Sequence, residues 1–104
     1  MKAKFYLDGG QPKVEIDNEW NALSLFLESD SSFEDVVRHL ELKKQRRWMG
    51  NTSVIRHISG SKYQVSTELD VNIKSVELSQ SQLLKLIEAW HDFNNNRIDC
   101  IVSV

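Results

Sequence analysis

Lys43, Lys44, Arg46 and Arg47 fall within five residues, and Trp48 follows at once. A basic run beside an aromatic suits nucleic acid, because the cations neutralise phosphates and the indole stacks on a base. Arg56 and Lys62 extend the same stretch, so residues 43–62 carry six basic side chains and no acidic one. The remaining reactive groups are scattered. His39, His57, His91 and Cys100 show none of the short pair spacings of a zinc site. A cysteine nucleophile would need His57 or His91 as a base and a third group to orient it. Cys100 falls in the alternation phase of Ile98 and Val102, the place of a small core side chain. The carboxylate neighbours Glu34-Asp35, Glu15 with Asp17, and Glu68 with Asp70 read as solvated faces, and none is specific to acid–base chemistry. Gly9-Gly10 has no Walker pattern around it, and no serine sits in a nucleophile elbow. No catalytic residue, metal ligand set or cofactor site follows from these patterns, so a non-enzymatic function is expected, with no small-molecule substrate.

The chain as a whole sets the frame for these groups. One hundred and four residues make a single domain, 1–104, able to bury a core without staples. The net charge is −2, which argues against a dedicated nucleic-acid-binding domain. One cysteine permits no internal disulfide, which fits a cytoplasmic, reducing setting. No apolar run has the length of a signal peptide or of a membrane span, so no membrane association is expected.

The elements follow from periodicity. Residues 2–16 predict a hairpin turning at Asp8-Gly9-Gly10, with Pro12 on an edge. Trp20, Leu23 and Leu27 form a helical stripe, which Asp17 or Asn18 would cap. Phe33, Val36, Val37 and Leu40 form a second stripe behind a Ser31/Glu34 capping box. This second helix is expected to run on to Trp48, its last turns holding Lys43 to Arg47. There the helix dipole favours cations by ~0.3–1 kcal/mol each. That position gives the basic run a second meaning, as the charged end of a helix. Residues 52–78 predict strands turning at Ser59–Lys62, with a bulge near Ser75 to reconcile two phases. Ser79/Gln82 open a last helix buried along Leu83, Leu86, Ile87, Trp90 and Phe93, and Asn94–Asn96 predict a turn. Ile98 to Val104 predict a final strand. The expected fold is α+β: a mostly antiparallel sheet of about five to six strands with three helices, in the order β-β-α-α-β-β-β-α-β.

Charge is unevenly distributed along this chain. Residues 1–42 carry nine acidic and four basic side chains, and residues 63–104 carry six and three, on either side of the basic stretch. Separate fields of this kind speed and orient association with a charged partner.

The passage VELSQSQLLKLIEAWHDF, residues 76–93, resembles the strand-to-capped-helix passage of small bacterial immunity proteins, the inhibitors that protect cells in contact-dependent growth inhibition. Val76, Leu78, Ser79, Gln82, Leu83, Ile87, Trp90 and Phe93 carry the likeness. The resemblance implies a non-catalytic protein that binds a cognate toxin domain, a nuclease among the common cases, and blocks its active site with carboxylates in place of phosphates. On that reading the acidic first third supplies the contacts: Asp8, Glu15, Asp17, Glu19, Glu28 and Asp30. The alternative is a nucleic-acid-binding or regulatory module contacting its ligand through Lys43, Lys44, Arg46, Arg47 and Trp48, with Arg56 and Lys62 beside them.

Overall fold

The computed structural model describes residues 1–29, 33–42 and 47–104. The chain opens with a hairpin, β1 (Lys2–Asp8) and β2 (Gln11–Glu15). Asp8 pairs with Gln11, leaving Gly9 and Gly10 as a two-residue loop with φ of 59° and 82°. Two consecutive positive φ values are what the twist of a tight hairpin demands, and glycine meets them without a Cβ clash. Pro12 lies on β2, an edge strand, where its missing N–H costs no ladder bond. The last strand, β7 (Cys100–Ser103), pairs antiparallel with the other side of β1 and completes a three-stranded sheet, β2-β1-β7.

Between these strands the chain builds three helices and a second sheet. Asn18–Trp20 form a 3-10 turn, and α1 (Asn21–Ser29) follows. Asp17 starts the turn through its carbonyl, which accepts from Trp20 N–H at 2.8 Å, while its side chain makes no capping bond. α1 buries Ala22, Leu23, Phe26 and Leu27, and packs against strands of both sheets. α2 (Phe33–Leu42) buries Val36 and Leu40. The expected Ser31 cap lies outside the described residues.

The expected extension of this helix to Trp48 does not hold. The described span of α2 is Phe33–Leu42, and Arg47–Met49 form a strand, β3. Residues 43–46, the rest of the expected extension, lie outside the described residues. As a strand, Arg47–Met49 turns Trp48 inward against Phe26, rings edge to face at 5.9 Å. Arg47 and Met49 point outward.

β3 opens a four-stranded antiparallel meander with β4 (Ser53–Ser59), β5 (Lys62–Thr67) and β6 (Val76–Ser79). The expected single sheet is thus two sheets with seven strands, and the bulge near Ser75 is absent. The register shift lies instead between His57 and Ser59. Val71 and Ile73 belong to a loop, not a strand. Asp70 turns the chain there, its carboxylate accepting from Asn72 N–H at 2.8 Å and its carbonyl from Ile73 N–H at 3.1 Å. Such Asx turns give the backbone partners that a ladder would otherwise supply.

α3 (Gln80–Asn96) starts at the predicted capping box: Ser79 Oγ accepts from Gln82 N–H at 3.1 Å, and Gln82 Oε1 from Ser79 N–H at 2.9 Å. Asn94 to Asn96 close the helix rather than form the turn. Asn94 Nδ2 donates to Trp90 O at 2.8 Å, and the reversal falls on Arg97, in the left-handed region at φ 60°. One continuous core joins all these elements, with Phe5 of β1 against Trp90 (5.0 Å, edge to face) and Phe93 (5.8 Å) of α3.

Candidate functional site

An open cleft of about 950 Å³ lies where β2, α1, α2, β3 and α3 meet. Its floor comes from the core: Leu27, Ile87 and Trp90 are buried, and Trp48 is half-buried beside them. Its walls carry Glu28 from the end of α1, Glu34 and Asp35 from the first turn of α2, and His91 from α3. Among its described lining residues there is no lysine or arginine. Local structure places each group. Glu34 and Asp35 sit where the positive end of a helix dipole favours carboxylates. Glu28 is held by a bond in which its Oε1 accepts from the backbone N–H of Val14 at 3.0 Å. That N–H belongs to an edge strand, so the carboxylate covers a donor that would otherwise face water and fixes α1 against β2. Three carboxylates and two indoles thus line one cleft, and carboxylates are groups that pair with a cation.

The acidic residues expected as contacts are dispersed. Asp8 stands at the hairpin tip, and Glu19 on the 3-10 turn. Glu15 faces Lys4 across the ladder, and with Asp17 it borders a shallow hollow of about 270 Å³ that Lys2 and Lys4 also line. Lysines thus neighbour these two carboxylates. Only Glu28 reaches the cleft, and Asp30 lies outside the described residues. The partners that Glu28 meets there, Glu34, Asp35, Trp48 and Trp90, carry no common sequence signal, because they come from elements that only packing brings together.

The basic set is likewise divided. Lys43, Lys44 and Arg46 lie outside the described residues. Strand alternation puts Arg47 on the solvent face and Trp48 on the inner one, so the indole does not stand beside the guanidinium. Arg47 pairs directly with Arg56 of β4.

The reactive groups sort as follows. Burial, and then the neighbouring Asp99 charge, push the Cys100 thiol above its ordinary value, which disfavours the thiolate a nucleophile requires. Burial, and then the nearby His57, hold His39 below its ordinary value, and its Nε2 has no hydrogen-bond partner among the described residues. His57 Nε2 lies 2.6 Å from Gly60 O, with its ring against Tyr63 at 5.1 Å. Among the described residues, no three His, Cys, Asp or Glu side chains gather as a metal site, and no helix is long and apolar enough to cross a membrane. Comparisons with protein-family models, with curated proteins and with solved structures return no significant match to this chain.

Proposed function

We propose that the protein is a non-catalytic inhibitor that binds a cognate toxin domain, a nuclease, in the cytoplasm, and holds a cationic part of that toxin in the cleft. The observation that carries this reading is that Glu28, Glu34 and Asp35 line one open cleft together with Trp48 and Trp90. A nuclease must present cations to hold its phosphates, and a cleft of carboxylates competes for those cations. Aromatic floor residues suit the anchoring role that a few buried side chains play in tight interfaces. The carboxylate field favours fast encounter. The capped passage from Val76 to Phe93, through which the sequence resembles immunity proteins, also supplies Ile87 and Trp90 to the cleft floor.

The test is co-expression with the toxin domain encoded beside this gene, followed by co-purification and a survival assay. Protection by the wild type, weakened by Glu34→Gln/Asp35→Asn together and by Trp48→Ala, is the expected outcome. No association with that toxin and no protection from it would refute the proposal.

A further inference from the structure

We propose that the solvent face of the four-stranded sheet is a second, separate binding surface, fitted to the phosphodiester backbone of a nucleic acid. The ladder sets Arg47, Arg56, Gln64 and Glu77 in one row across β3, β4, β5 and β6. The two arginines are direct cross-strand neighbours, which places their Cβ atoms about 4.5–5.5 Å apart. Like charges directly opposite each other weaken a sheet. Both side chains are exposed, and neither guanidinium has a hydrogen-bond or ion-pair partner among the described residues. Such a pair is half of a charge-assisted contact: two guanidinium forks converge on the oxygens of one phosphate and relieve each other's repulsion. Lys62, two residues along β5 from Gln64 and on the same face, lies about 8 Å from the Arg56 backbone, by strand spacing and rise. It suits the next phosphate of a chain.

The row also contains one acidic side chain, Glu77, two strands beyond Arg56 at about 10 Å. Neither the cleft nor the hollow beside β1 is lined by Arg47, Arg56, Gln64 or Lys62. Met49, 55% exposed and two residues along β3 from Arg47, borders the cations and offers apolar surface to bases. A sheet face with repeating cations and an apolar neighbour fits an extended polymer. Of these residues only Met49 also borders the cleft, so this surface does not depend on the toxin-binding reading.

The test is fluorescence anisotropy of a labelled single-stranded DNA of about 20 nucleotides, titrated with the full chain across a salt series. Wild type is expected to bind at low salt. Arg47→Gln/Arg56→Gln should bind about tenfold more weakly or worse, as two charged hydrogen-bond contacts are lost. Its log–log salt slope should fall by about 0.7, the value for the one phosphate that the two arginines share. Arg47→Lys/Arg56→Lys should keep the slope while losing affinity. Lys4→Gln, on the other sheet, should bind as wild type. Thermal unfolding provides a fold control: relief of the like-charge pair should leave Arg47→Gln at or above the wild-type midpoint. No binding at low salt would overturn the proposal, as would a glutamine double variant that binds normally. Polyglutamate competing as well as DNA would also overturn it, assigning the face to acidic protein surfaces.

Discussion

Glu28 makes two claims testable at once, because it lines the cleft and also ties α1 to the hairpin. Its Oε1 accepts from the Val14 N–H at 3.0 Å, on the unpaired side of an edge strand. A hydrogen bond to a charged group contributes about 1.5–3 kcal/mol. Glu28 is solvent-exposed, so water replaces part of that bond, and the lower end applies: about 1–1.5 kcal/mol for Glu28→Ala. Glu28→Gln keeps an amide oxygen as acceptor and loses only the charge, for a cost of about 0.5 kcal/mol. For a domain of this size 1 kcal/mol moves Tm by about 4–8 °C. Urea unfolding followed by tryptophan fluorescence measures the stability, and amide hydrogen exchange at Val14 reports the bond itself. Protection of Val14 should fall in the order wild type, glutamine, alanine, while neighbouring ladder amides of β1 hold theirs. If Val14 exchanges equally in all three, the bond is not part of the folded state in solution, and the placement of Glu28 on the cleft wall fails with it.

Other perturbations read other parts of the fold. Ser79→Ala removes one half of the capping box and should destabilise by about 1 kcal/mol, measured by chemical denaturation, with Gln82→Ala costing less than a further 1 kcal/mol on top. His39 titrates below its ordinary 6.5 in the folded chain, so the unfolded chain takes up its proton first as pH falls. Its contribution is therefore complete above pH 6.5 and declines as pH drops through that value towards the lower folded one. Relative to His39→Gln, wild type should lose stability between pH 7.5 and 5.5, and a gain would refute the assignment. Cys100, held above its ordinary value by burial and Asp99, should react with iodoacetamide at pH 8 several-fold more slowly in the native chain than in urea. Phe5→Ala, which removes the ring packed on Trp90 and Phe93, should cost about 3–5 kcal/mol in a melt.

Much of the architecture was legible because its causes are local. Gly9-Gly10 between alternating strands, the Ser79/Gln82 box, and the stripe from Leu83 to Phe93 each carry their own physical reason within a few residues. The α+β class followed from the clustering of such elements. The failures fall where local preferences are balanced. Arg47 follows a run of good helix formers, Lys, Gln and Arg, and reads with Trp48 as a helix end on propensity alone. The strand at Arg47–Met49 forms because β4 supplies a ladder and Phe26 a surface for Trp48, and both lie elsewhere in the chain. The long alternation from Tyr63 to Leu78 concealed a loop in the same way, since Val71, 98% exposed, has the residue type of a strand but no neighbour to pack against.

By itself, then, the sequence determined the hairpin, the three helices with the start of the last one, the alternating faces of the strands, and the uneven spread of charge. Those depend on side-chain period, cap chemistry and turn geometry, all of which act over a few residues. Tertiary structure alone decided that the described strands form two sheets, that Glu28, Glu34 and Asp35 line one cleft with Trp48 and Trp90, and that Arg47 stands opposite Arg56. These pairings are settled by which distant surfaces exclude water from one another, and burial of that kind is non-directional and leaves no mark in the spacing of residues along the chain.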